Sequence, residues 1–248
     1  MIWVGLAGFA VVLFTAGLML GLSFLRRKSA PAFRDLPAFA RLRQAVGRVV
    51  EDGTRLHVSL GRGGLTTPQG AAALAGLGML RRLADLTSAS DQPPVATSGD
   101  SAIAILSQDT LQSSFQTITP GAAFDITAGR LAGLTPFSYA AGTLPVMHDE
   151  NVSATLLMGN FGVEAALLTD AAERTNTYLL AASDNLPAQA VLYASAPDAL
   201  IGEELFAAQA YNGGGPLHSA SLTVQDILRW LLIAVLLAGA ALKLAGFL

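Results

Sequence analysis

The sequence has no cysteine and few charges, 13% of its residues against 52% hydrophobic ones. Without thiols there is no disulfide, no thiolate nucleophile and no zinc–thiolate or iron–sulfur centre, and a reducing compartment suits such a chain. Aromatics are scarce at 7%, and the three histidines, His57, His148 and His218, stand far apart, no two at the spacing of metal ligands on a helix or hairpin. His148 with Asp149 and Glu150 reads as a polar turn rather than a metal site. No cofactor is expected. The net charge of -3 hides an asymmetry, because nine of the 15 basic residues fall between Arg26 and Arg62, against the acids Asp35, Glu51 and Asp52. A basic zone placed directly after an apolar run, with few interleaved aromatics, suits anionic lipid headgroups. Nucleic acid is not expected as a partner.

What the chain does have is two long apolar runs. Ile2 to Leu25 carries no charge, and roughly 20 apolar residues at about 1.5 Å rise cover a hydrocarbon core about 30 Å thick. Ile227 to Leu248 repeats the pattern, with Arg229 and Trp230 as an interfacial anchor and Lys243 able to snorkel to the far surface. Arg26, Arg27 and Lys28 follow the first run. A secretory signal carries its positive charges before the apolar core, so this run reads as a retained anchor. Basic residues beside a span stay on the cytoplasmic side, which predicts a two-pass protein of the cell membrane with both termini outside and a cytoplasmic middle. The expected layout is a first span with its basic flank over 1–28, an α/β domain over 29–211, a Gly-rich linker over 212–225 and a second span over 226–248. Gly17 and Gly21 form a small-xxx-small pair, and Ala234 and Ala238 offer the same on the second span. These positions predict helix packing in the bilayer, within a subunit or in a homo-oligomer.

Between the spans, Leu36 to Val50 repeats apolar residues at three-four spacing with Arg41, Arg43 and Arg48 between, an amphipathic helix stopped by Asp52-Gly53. Leu56, Val58 and Leu60 then alternate with His57 and Ser59, as in a strand. The loop Gly61-Arg62-Gly63-Gly64 follows, and Thr67-Pro68 opens an Ala-, Gly- and Leu-rich helix to about Leu86. Its glycines, Gly70, Gly76 and Gly78, cost propensity and predict close packing against a sheet. The unit repeats with a strand Val95–Thr97, a turn Ser98-Gly99-Asp100 and a helix to about Phe115. Thr117 to Pro136 reads as loop with a short helix near Ala128 to Leu131. Phe137–Met147 and Asn151–Met158 read as two strands, paired or successive, and a helix runs from Val163 to about Arg174. Thr177–Ala182 and Ala190–Ala194 read as strands around a turn at Asp184–Pro187, and Ser195–Asp198 caps a last helix to Tyr211. Short, nearly uncharged strands alternating with helices predict an α/β fold, a mostly parallel Rossmann-like three-layer domain.

In open α/β sheets ligands gather beyond the carboxyl ends of strands. The candidate ligand residues are therefore Gly61, Arg62, Gly63 and Gly64 after the first strand, Ser98 and Gly99 after the second, and Gly159 and Asn160 further on, with Ser183 to Asn185 as a further adjoining loop. Arg62 among free backbone amides suits an anionic small molecule, phosphorylated or carboxylated. The loop is neither a Walker A sequence nor the dinucleotide fingerprint, since it lacks the Lys-Ser/Thr of one and the Gly-x-Gly-x-x-Gly spacing of the other. Gly99-Asp100-Ser101 reads as a helix cap rather than a nucleophile, because no histidine accompanies it.

The outward first span, the Gly- and Ala-rich α/β middle, the run Met158-Gly159-Asn160-Phe161-Gly162-Val163-Glu164 and the closing apolar helix together resemble an uncharacterised family of bacterial membrane proteins with a domain of unknown function. That resemblance covers most of the chain and implies no catalytic residue. The leading reading is a double-anchored, non-enzymatic binding or homo-oligomeric assembly module. The alternative is a ligand-binding or enzymatic domain that recognises an anionic metabolite around Arg62.

Overall fold

A computed structural model describes residues 2–25, 34–87 and 90–246. The basic triplet Arg26, Arg27 and Lys28, on which the orientation in the membrane rests, lies outside the described residues. The chain divides into two compact units, Asp35–Asn212 and a second unit formed by the two terminal segments.

In the terminal unit, α1 (Ile2–Leu25) and α9 (Pro216–Leu244) pack side by side. Both are long and apolar enough to cross a membrane. Helix α9 starts at Pro216, inside the stretch expected as linker, because proline preset to a helical φ stands in its first turn. Gly17 and Gly21 face open space, since a Cβ at either would meet nothing within 4 Å, and Ala234 and Ala238 are exposed.

The other unit begins with α2 (Pro37–Glu51), which buries Phe39, Leu42, Ala45, Val46 and Val49 and leaves Arg41, Arg43 and Arg48 exposed. After it the chain alternates: β1 (Arg55–Gly61), α3 (Gly70–Thr87), β2 (Val95–Ser98), α4 (Ser101–Ile118), β3 (Gly129–Leu131), α5 (Pro136–Asp149), β4 (Val152–Asn160), α6 (Ala165–Arg174), β5 (Tyr178–Ser183), α7 (Leu186–Ser195), β6 (Asp198–Leu200) and α8 (Glu204–Tyr211). The six strands form one sheet, parallel throughout, in the order β3-β2-β1-β4-β5-β6. This is the doubly wound order of a Rossmann-type sheet, with helices on both faces.

The strands are buried on both faces, as parallel strands under two helical layers must be. On one face Leu56, Val58, Leu60, Leu156, Met158 and Leu180 pack in one cluster with residues of α2, α3, α4 and α8. Gly76 of α3 permits this, since a Cβ there would stand 2.3 Å from the carbonyl oxygen of Met158. On the other face Leu157, Leu179 and Ala181 pack with Tyr139 of α5, Phe161, Leu168 of α6 and Leu192 of α7.

Several expected elements are different. Helix α3 begins at Gly70 rather than Pro68, because Thr67 spends its hydroxyl on the Gly64 carbonyl and its own carbonyl on the Gly70 amide, closing two turns instead of capping. Gly129–Leu131 is a strand, held by pairing with Ala96–Ser98, and only Ile126–Ala128 is a 3-10 turn, capped by Asp125. Phe137–Met147 lies in a helix, not a strand. Pro136 starts it, and Thr135 and Ser138 close a reciprocal capping box that satisfies orphan amides. Ala190–Ala194 is helical too, within α7, again with proline in the first turn. The residues expected to cap a last helix instead lead into β6, and α8 is correspondingly short. In each case the local pattern suited both states, and pairing or capping decided.

Candidate functional site

Strand order reverses between β1 and β4: from β1 the chain winds out through β2 and β3, then crosses to β4, β5 and β6. At such a switch point the loops leaving neighbouring strands diverge and open a crevice at their carboxyl ends. Here β1 ends at Gly61, in register with Asn160 at the end of β4. Gly61 has φ +69°, and a Cβ on it would stand 2.4 Å from the Asn160 carbonyl oxygen, so only glycine fits this approach. The Arg62 amide donates to the Asn160 carbonyl at 2.8 Å, and the Gly99 amide donates to the Gly61 carbonyl at 2.8 Å. The three loops 61–64, 97–101 and 159–162 thus meet at the carboxyl end of the central strands.

The crevice has a volume of about 440 Å³. From the β1 side it is lined by Arg62, Gly63, Gly64, Thr67 and Gln69; from β4 by Asn160; from the end of β5 by Asp184, Asn185 and Leu186. Asn160 donates through Nδ2 to the Asp184 carboxylate at 2.7 Å, and Asn185 donates through Nδ2 to the Phe161 carbonyl at 2.8 Å. These bonds fix the far wall. The near wall is fixed by Arg62, whose Nε donates at 2.9 Å to the carboxylate of Glu164, a side chain 1% exposed. The Gly162 amide donates to the same oxygen at 2.9 Å, and the carboxylate stands just before α6, where the helix end favours negative charge.

This pairing changes what Arg62 offers. Its charge is matched by a buried carboxylate, and drawing it away would leave that carboxylate unpaired, which typically costs about 3–5 kcal/mol for buried pairs and less here because Arg62 is 23% exposed. Its Nη groups, by contrast, have no hydrogen-bond acceptor among the described residues, and Arg62 lines the crevice. With Asp184 opposite, the site combines amide and guanidinium donors with a carboxylate acceptor.

Of the residues singled out from sequence, Arg62, Gly63, Gly64, Asn160 and, from the loop Ser183 to Asn185, Asp184 and Asn185 line the crevice. Gly61 shapes its floor. Gly159 lies behind, its missing Cβ 2.0 Å from the Leu60 carbonyl oxygen, where it allows β4 to close on β1. Ser98 and Gly99 support the loop without lining it: the Ser98 hydroxyl donates to the Asp100 carbonyl, and Gly99 backs onto the Arg62 side chain. Asp100 caps α4 by accepting from the Ile103 amide at 3.0 Å. Glu150, next to His148 and Asp149, is bound by Arg55 and Arg130. Thr67 and Gln69 escaped notice because they were assigned to the following helix. Glu164 carries no local signal, since nothing in its neighbourhood pairs it with a residue 102 positions earlier. The Asp-Asn pair after the strand at 178–183 was a readable signal.

The chain belongs to the family described as Domain of unknown function (DUF6754), whose model matches residues 4–247. No curated protein and no solved structure matches it.

Proposed function

The family assigns no activity, and from the geometry we propose that the protein is a membrane-anchored binding module whose α/β unit takes a small oxygen-bearing metabolite at the crevice between β1, β4 and β5. The observation that carries the reading is the convergence of Arg62, Asn160, Asp184 and Asn185 from three strand ends on one space of about 440 Å³, within the range of small-molecule sites. The free Nη donors of Arg62 suit a carbonyl, hydroxyl or carboxylate oxygen, and Asp184 suits a hydroxyl donor. A multiply charged phosphate fits less well beside Glu164 and Asp184 than the loop alone suggested. The test is a thermal-shift and calorimetric screen of the full chain in detergent against polyols, nucleosides, monocarboxylates and sugar phosphates. A polyol or monocarboxylate that binds the wild type and loses at least tenfold affinity with Asp184→Ala and with Arg62→Ala supports the reading. Equal binding by all three proteins, or no binding by any compound, overturns it.

The assembly reading has its own support, since Gly17, Gly21, Ala234 and Ala238 leave open helix surfaces of the small-residue kind that lets backbones approach. A homo-oligomer through these faces predicts a smaller detergent mass when Gly17 and Gly21 are both replaced by Leu. The proposed topology places both termini outside and the α/β unit in the cytoplasm, on the strength of Arg26, Arg27 and Lys28 beside the first span. A reporter fused at residue 120 that scores as external sinks that orientation.

A further inference from the structure

Besides Nε of Arg55, whose Nη1 meets Glu150, three buried polar atoms on the face of the sheet covered by α5 have no well-formed hydrogen bond among the described residues: Nδ1 of His57, the hydroxyl of Thr143, which stands beside the Tyr139 hydroxyl, and the hydroxyl of Thr155. The side chains are 0%, 0% and 1% exposed, so bulk solvent does not satisfy them. They belong to one neighbourhood. His57 and Thr155 are register partners across β1 and β4, which sends both side chains to the same face. Helix α5 returns from β3 to the parallel strand β4 and so runs against the strands. Near its start Tyr139 hydrogen-bonds Ser59 at 2.6 Å and the Gly61 amide at 3.1 Å, and near its end Glu150 meets Arg55. One helical turn rises about 5.4 Å, close to the advance of two strand residues, so Thr143, one turn after Tyr139, lies over the pair that precedes Ser59. That pair is His57 with Thr155.

The imidazole adds a directional demand. Burial, reinforced by the charge of Arg130, pushes the His57 pKa down to about 3, so the ring is neutral and presents one N–H and one lone pair. Nε2 meets the Thr97 hydroxyl at 2.9 Å. Nδ1 is left with the complementary role and no partner for it among the described residues.

We propose that His57, Thr143 and Thr155 form a closed binding site for ordered water, sealed between β1, β4 and α5. A water there obtains the roughly three hydrogen bonds that buried waters ordinarily make. It joins a network that continues from Nε2 through Thr97 to the hydroxyl of Tyr139, which accepts from the Gly61 amide where the crevice loop begins. The water therefore ties α5 to the central strands and steadies that loop. This site stands independently of any ligand in the crevice.

Thr155→Val in the full chain in detergent tests it through the sign of the effect. Removing an anchor of a bound water lowers the melting temperature by roughly 2–4 °C. Removing a hydroxyl that has no partner leaves the temperature unchanged or raises it. Thr155→Ser, which keeps the hydroxyl, retains the water and guards against a loss caused by shape alone. The three histidines make selective 15N labelling clean, and His57 is expected as a single neutral tautomer with a cross-peak to water that vanishes in Thr155→Val. A His57 without a water contact, or a Thr155→Val protein that melts no lower than wild type, overturns the proposal.

Discussion

On one face of β1, Leu56, Val58 and Leu60 close against α3 and its neighbours in a continuous apolar cluster; on the other, Arg55, His57 and Ser59 meet Glu150, Thr97 and Tyr139 through hydrogen bonds and an ion pair. One strand over, on β4, the same second face carries Thr155 and then Leu157, and on β5 it is Leu179 and Ala181, apolar until Ser183 at the strand's end. The polar seam is thus centred on β1 and reaches Thr97 of β2 and Thr155 of β4 under α5, the helix that crosses the switch point. Apolar contact is nondirectional and fixes α3 by volume, whereas a Tyr139 hydroxyl shared among Ser59, Thr97 and the Gly61 amide fixes α5 to one position along the strand.

The largest effect that breaks this contrast is Leu156→Ala on the apolar face. It leaves a cavity under a side chain that is 0% exposed, and chemical denaturation is expected to register a loss of about 2–5 kcal/mol. Tyr139→Phe keeps the ring and deletes only the hydroxyl, stranding Ser59 and the Gly61 amide. A smaller loss, about 1–3 kcal/mol, is expected, with faster hydrogen exchange at Gly61 that Leu156→Ala does not reproduce.

A third measurement sharpens the comparison by pH. His57 has its folded pKa depressed from 6.5 to about 3, so below 6.5 the unfolded chain takes a proton that the folded one refuses. Its contribution is fully present above pH 6.5 and is lost as pH falls toward 3, with a slope approaching about 1.4 kcal/mol per unit. Replacing His57 with Gln is expected to flatten that part of the stability profile, and an unchanged slope between pH 6 and 4.5 places the acid sensitivity elsewhere. Asp198 acts in the same sense at lower pH. Burial alone raises its carboxyl, but Arg41 and the Tyr178 hydroxyl outweigh burial and hold it below the usual range, so its share is lost only as pH falls below about 4. The smallest effect is expected from Arg174→Ala, which removes an exposed pair with Asp170 and should leave the melting temperature unchanged within error.

Much of the architecture was readable because it rests on short-range pattern. The two apolar runs report α1 and α9 by length alone, and the alternation Leu56-His57-Val58-Ser59-Leu60 reports β1. Brief uncharged strands between helices report a parallel sheet, since strands buried on both faces cannot carry charge. Gly61 to Gly64 and Asn160 were found because ligand loops follow strands in this class. What escaped was β3, three residues long, and α5, whose Phe-Ser-Tyr start reads as a strand until the Thr135–Ser138 box is closed.

The chain's local chemistry by itself determined which segments are apolar, which are helical by period, and that a glycine-rich loop follows β1. Periodicity extends over a turn or a pleat, so it assigns faces without naming what will face them. Only the tertiary structure decided the partners: that the Arg62 charge meets Glu164, that Asp184 and Asn160 close the opposite wall, and that His57, Thr97 and Tyr139 share one buried seam. Those partners are set by strand order and by the crossing of α5, which bring together residues tens of positions apart, and their charges and hydrogen bonds take effect only when the sheet has closed around them.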